Sequence, residues 1–151
     1  ADKCGIILNQ KLKQYDVPYN VHHEPNSIEV ANFLNKGVFI DVEIIDSECA
    51  VHKLKHAELG EIRGKLSNKF PSGSKARLLL QPEDLIHDDQ SKLKLEVVDR
   101  KFRGTNFIYT LKTKNGEHLP VFVHSHHIHQ HEENEKFGVQ SPIYIDHLVC
   151  F

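Results

Sequence analysis

Lys75-Ala76-Arg77-Leu78-Leu79-Leu80-Gln81-Pro82-Glu83-Asp84-Leu85 opens the stretch that decides the fold. Two alternating runs follow, residues 93–102 and 106–113, then a Lys114-Asn115-Gly116-Glu117 turn and a third run over 118–123. Leu78-Leu79-Leu80 has the composition of a buried strand, and Pro82, which lacks an N–H, stops its ladder. Glu83 and Asp84 could be paired for acid–base work, but directly after a proline they fit a turn or cap better. Leu93, Leu95 and Val97 alternate with Lys92, Lys94 and Glu96, so one face is buried and one is wet. The alternation slips by one after Val98, which predicts a bulge near Asp99. With Arg103-Gly104 and Asn115-Gly116 as turns, the whole stretch reads as a sheet of consecutive hairpins.

Working outward, residues 38–45 are β-branched and half alternating, as in a strand. Residues 49–56 alternate too, with Val51, Lys53 and Lys55 on one face and His52, Leu54 and His56 on the other. His52 and His56 would share a helix face as metal ligands can, but in this β-rich setting they read as exposed strand histidines. Gly60, Gly64 and Pro71-Ser72-Gly73-Ser74 punctuate the region. Upstream, Gly5 to Leu8 reads as a strand ended by Asn9-Gln10, with Lys11 to Tyr15 as its hairpin mate. Pro18 suits a helix start with Asp16 as its cap. A second helix follows Pro25-Asn26-Ser27, with Ile28, Ala31 and Phe33-Leu34 as its apolar stripe and Asn35-Lys36-Gly37 as its end.

Hydrophobic residues make up 39% of the 151 and charged residues 26%, which is globular rather than disordered. The net charge of -2 and a pI near 6.7 give no basic excess for a nucleic-acid groove or a membrane surface. No apolar run approaches a membrane span. Cys4, Cys49 and Cys150 are odd in number and lack metal-type spacing, as expected of reduced thiols. There is no methionine, so a chain beginning at Ala1 is expected to be processed or a fragment.

The order of these pieces resembles the transport-associated OB-type domain at the C-terminus of ATP-binding subunits of bacterial ABC importers. Ile6-Ile7-Leu8-Asn9-Gln10, Lys11-Leu12-Lys13-Gln14, Val17-Pro18, His23-Glu24-Pro25 and Val30-Ala31-Asn32-Phe33 are similar to the last piece of the ATPase domain in that family. Phe102-Arg103-Gly104 before Asn106-Phe107-Ile108-Tyr109 resembles its aromatic-x-Gly turn. Its strand-closing Gly-x-x-hydrophobic motif would fall at Gly138, before Ile143-Tyr144-Ile145, with Phe151 as the terminal aromatic. Two departures stand out. The family commonly has a glycine after Asn-Gln, where this chain has Lys11, and Gln81 replaces the arginine of its Arg-Pro-Glu.

The resemblance implies a mostly β protein: an α/β remnant of an ATPase domain over residues 1–36, then a β-rich, OB-like regulatory and dimerisation domain over 37–151, with one or two barrel units. It implies a homodimer, a transmembrane permease as partner, and a place at the cytoplasmic face of the cell membrane. ATP and Mg would belong to the full-length subunit, with no cofactor in this chain, and residues 1–40 look most like iron(III) importers. The phosphate loop, signature stretch and switch histidine of such ATPases are missing, and no spacing singles out a catalytic triad.

Two rivals come from other classes. An OB-type barrel can bind single-stranded nucleic acid, against which stand the acidic balance and the lack of interleaved basic and aromatic residues. A His-rich metal-sensing module is suggested by His124, His126, His127, His129 and His131 before Glu132, Glu133 and Glu135. On a strand His127, His129 and His131 share a face, spaced about 7 Å apart, so they are the candidate metal ligands.

Overall fold

The computed structural model describes residues 2–34, 37–46, 51–66, 69–124 and 135–151. Strands β1 (Cys4–Leu8) and β2 (Lys11–Asp16) form a two-stranded antiparallel sheet. Its two-residue turn places both Asn9 (φ 51°) and Gln10 (φ 64°) in the left-handed region. That conformation matches the twist of a tight hairpin, so a direct step to Lys11 without the extra glycine is possible. Helices α1 (Pro18–His23) and α2 (Ile28–Leu34) follow. Asp16 does not cap α1 in the expected way. Val17 is the N-cap, and the Asp16 carboxylate accepts the Val17 N–H at 2.8 Å instead. On α2, Ser27 Oγ accepts the Val30 N–H at 3.2 Å. Of the expected stripe on α2, Ala31 is buried and Leu34 packs against Ile6, Val21 and Val30, while Phe33 is 61% exposed and Val30, which the stripe left out, is fully buried.

Strands β3 (Val38–Asp46), β4 (His52–His56), β5 (Gly60–Leu66) and β6 (Lys75–Leu80) come next. They are followed by β7 (Lys94–Phe102), β8 (Asn106–Lys112), β9 (His118–His124), β10 (Lys136–Gly138) and β11 (Ile143–Leu148). One sheet runs β11-β5-β4-β3-β6, with β11 parallel to β5. The residues after β11 then cross to β6. Leu78 bridges Cys150, and the Leu79 N–H reaches the Val149 carbonyl at 2.9 Å. Hydrogen bonding therefore runs round the full circle of five strands, which removes their open edges. The second sheet runs β10-β7-β8-β9 and is inserted in the chain between β6 and β11. The expected bulge is present, with the β7–β8 register shifting between Val97 and Asp99. The fold is mostly β and OB-like, as the sequence implies.

One apolar core joins both sheets. Ile40, Ile44, Leu54, Ile62 and Leu78 face it from the barrel, and Val97, Tyr109, Leu111, Val121 and Phe137 from the inserted sheet. A smaller cluster of Ile6, Val21 and Val30 lies under the N-terminal helices, and Ala31 packs on Leu79 and Val149. Gly138 does not open the last strand. It ends the separate strand β10, where a Cβ would strike the Asp88 carbonyl. His52 and His56 are not surface residues either. Their strand face points inward with Leu54, and His56 is 2% exposed. His56 Nδ1 accepts the N–H groups of Glu58 and Leu59 at 3.1 and 3.0 Å, and Nε2 meets Glu117 Oε1 at 2.9 Å. With Nδ1 accepting, the ring proton sits on Nε2 and is donated to Glu117.

Candidate functional site

The most chemically loaded surface lies where α1 meets the barrel. Pro82 cannot extend β6, so the chain turns there: the Asp84 N–H reaches the Gln81 carbonyl at 3.0 Å, and the Asp84 carboxylate accepts the Gln81 N–H at 2.7 Å. Glu83 and Asp84 thus build a turn, and Glu83 is left at its tip. Gln81 is buried, and its side-chain amide donates to the His22 carbonyl at 3.1 Å. In this way the residue standing where the family has arginine fastens the end of α1 to the barrel. Gln14, also buried, ties β2 to the segment that follows α1. It donates to the Glu24 carbonyl at 3.2 Å and accepts the Asn26 N–H at 3.0 Å.

The side chains of the joint alternate between imidazole and carboxylate. His22 Nε2 lies 3.6 Å from Glu83 Oε1, and His147 Nδ1 lies 3.2 Å from Glu24 Oε1. Tyr19 stacks on His23 with ring centroids 4.3 Å apart and meets His147 edge-on at 6.3 Å. A cleft of about 370 Å³ opens here, reaching from His23 and Glu83 to Asp146 and His147. A second of about 280 Å³ lies on the other side of Glu83, against Pro82 and Phe122. Among the described residues, no lysine or arginine lines either one.

This electrostatic setting shifts two groups. Burial raises the Asp84 carboxyl to about 7; the Gln81 N–H opposes the rise, and Glu83 and Asp146 reinforce it. Gln81 is neutral and offers no cation to counter those negative neighbours. Burial, and then the neighbouring His22, holds the His23 imidazole below its ordinary value, with Glu83 pulling the other way.

His127, His129 and His131, the ligands expected from sequence, lie outside the described residues. The grouping of His22 and His23 with Glu83 was not visible in the sequence. His23 was part of a family motif and Glu83 part of a turn, and only the docking of α1 brings them together. Another cavity, about 510 Å³, lies on the outer face of β3, β4 and β6. Its charges are mixed. Asp41 faces Arg77 across the strands, and Glu43 sits between Lys75 and Lys55, so no stripe of one sign forms.

Residues 78–143, which include the Gln81–Asp84 turn, match the family described as the TOBE domain. The spermidine/putrescine import ATP-binding protein PotA of Mesomycoplasma hyopneumoniae strain J is 29% identical over 117 residues, 76% of this chain and 25% of the relative. Its counterpart in Mycoplasmopsis synoviae strain 53 is 24% identical over 151 residues, 96% of this chain and 30% of the relative. An Fe(3+) ions import ATP-binding protein of Pectobacterium atrosepticum is 21% identical over 123 residues, 78% of this chain and 33% of the relative. The chain therefore spans a quarter to a third of the length of these relatives. No helix among the described residues is long and apolar enough to cross a membrane. An OB-like barrel with the TOBE match in its second half, behind a hairpin and two helices, makes this chain homologous to the C-terminal region of ABC importer ATP-binding subunits.

Proposed function

We propose that this chain is the C-terminal regulatory and dimerisation part of the ATP-binding subunit of an ABC importer whose cargo is a polyamine of the spermidine/putrescine class. The observation that carries the reading is the alignment over 96% of the chain with a spermidine/putrescine import ATP-binding protein. It takes in the hairpin and helices as well as the barrel. The iron(III) cargo suggested by residues 1–40 gives way here, because the iron relative aligns over less of the chain and at lower identity than that protein. Those residues form the joint with the barrel, a structural element that importers of different cargo can share.

On this reading ATP and Mg are held upstream of residue 1, the subunit works with a transmembrane permease, and it sits at the cytoplasmic face of the membrane. The outer face of β1 and β2 supports the idea of an upstream domain. Ile7, Leu12 and Tyr15 are each more than half exposed there. An isolated hairpin with such a face is marginal in water unless something packs on it. Pairing of two copies through the β domain follows the commonest symmetry of such assemblies.

The test uses the full-length gene product reconstituted with its permease in proteoliposomes. Spermidine- or putrescine-dependent ATP hydrolysis and uptake are expected. A response to iron(III) with none to either polyamine would overturn the cargo, and the absence of an ATPase domain upstream would overturn the class. The 151-residue chain itself should show no saturable nucleotide binding in calorimetry.

A further inference from the structure

We infer that His22, His23 and Glu83 form a site for a divalent transition ion of the zinc type, which clamps helix α1 to the barrel. One ligand atom from each lies within 4.8 Å of the other two. Two imidazole nitrogens and one carboxylate oxygen are a donor set that zinc accepts, with the fourth tetrahedral position left for water. Ligand atoms about 2.1 Å from a tetrahedral ion stand about 3.4 Å from one another. The His22–Glu83 pair already has nearly that spacing, at 3.6 Å. Bringing in the third atom takes a small side-chain rotation. The side chains of His22 and Glu83 are 51% and 41% exposed, so neither is locked by packing.

Two features separate this cluster from an ordinary surface ion pair. The first is its support. The Gln81–Asp84 turn is held by two hydrogen bonds, and the Gln81 amide holds the His22 carbonyl, so the backbones carrying the ligands are tied together without the ion. The second is its field. Asp146 lines the cleft beside Glu83, and among the described residues no lysine or arginine lines the two cavities that flank the cluster. A cation entering there meets the negative charge of Glu83 and Asp146. Because the ligands come from two elements far apart in sequence, the ion would bind the folded joint and not the unfolded chain. Binding should then raise the unfolding temperature.

The test is zinc chloride titration of the 151-residue chain by calorimetry. The background carries His124→Ala, His126→Ala, His127→Ala, His129→Ala and His131→Ala, so that the histidine-rich stretch does not contribute. One equivalent of zinc should bind, raise the midpoint of thermal unfolding, and, when replaced by cobalt(II), give the intense visible absorption of a four-coordinate site. Adding His22→Ala, His23→Ala or Glu83→Gln to that background should each weaken binding at least tenfold and abolish the thermal shift. Circular dichroism checks that each variant is folded, and Glu83→Gln, which keeps the side chain's shape, serves if a histidine variant is not. No stoichiometric binding in the background protein, or equal affinity in the background and its Glu83→Gln form, would overturn the site.

Discussion

Arg77 and Phe151 exchange both of their backbone hydrogen bonds, N–H to carbonyl, at 2.9 and 3.0 Å. This pair closes the barrel, and the Phe151 ring packs against Phe39 at 6.1 Å on the neighbouring strand. Removing residues 149–151 would leave the edge of β6 unpaired and uncover Leu79, which Val149 covers. The truncated chain should lose at least ~3 kcal/mol of stability, read as a lower urea midpoint. An unchanged midpoint would mean that the ring of strands is not what holds the barrel.

Gly64 sits where β5 runs beside β11. A Cβ there would strike the Ile145 carbonyl and come within 2.9 Å of the Leu148 side chain. The obstruction is backbone, which a rotamer change cannot relieve. Gly64→Ala should therefore destabilise the protein by ~2 kcal/mol or more, and Gly73→Ala, whose Cβ would meet open space and whose cost is only that of alanine at a φ of 87°, by less. Equilibrium unfolding of the two variants side by side decides this.

His56 satisfies two backbone N–H groups and bridges the β4–β5 turn to Glu117. His56→Ala would leave both donors without their acceptor in a buried place, at a cost of about 2–4 kcal/mol. Asparagine places an oxygen near the position of Nδ1, so His56→Asn should recover part of the loss. Glu117→Gln should cost less than His56→Ala, since it spares the backbone groups. Chemical denaturation of the three variants gives the ranking.

Asp84 should make stability depend on pH. Its folded value of about 7 lies above the ordinary carboxylate value, so the folded state binds the proton more tightly than the unfolded chain. The stability it contributes is fully present below about 3.9, the unfolded value, and is lost as pH rises through about 7. Wild-type protein should weaken between about pH 5 and about pH 8 relative to Asp84→Asn. Gln81→Arg, which restores a cation beside the carboxylate, should shift that loss to lower pH. Identical pH profiles for wild type and Asp84→Asn would refute the assignment.

Cys150 is fully buried, and that burial pushes its thiol up to about 12. The thiolate is the reactive form, so Cys150 should resist alkylation near neutral pH until the barrel opens. Cys4, half-buried on β1, should be labelled before Cys150. Mass spectrometry of a timed labelling series reads the order directly.

Much of the fold was legible because strand alternation is a local property. The slip after Val98, the Asn9-Gln10 hairpin and the stop at Pro82 all follow from residues within a turn of one another. His52 and His56 were misjudged because alternation says which residues share a face, not which face is buried; both rings are consumed by backbone donors that no sequence spacing shows. Phe33 failed for the opposite reason: an apolar residue near the helical period was read as core, whereas α2 meets its surroundings through Ala31, which the stripe held, and through Val30, which it did not. The joint of His22, His23 and Glu83 was not legible at all. It depends on the docking of α1 against the β6 turn, which the buried Gln81 fastens, a polar residue with no apolar signature.

The insertion of the four-stranded sheet between β6 and β11 also sets an order of events. Strands β3 to β6 can pair as soon as residues 38–80 exist, but their ring stays incomplete until the chain has passed through the whole insert and returned. The closing contacts are of long sequence separation, and contacts of that kind slow folding. Until they form, the edge of β6 offers unpaired donors and acceptors to any other strand nearby. During synthesis this fold should therefore depend on residues 143–151, and the rate of barrel closure, more than the strength of the finished core, should determine how much of it aggregates.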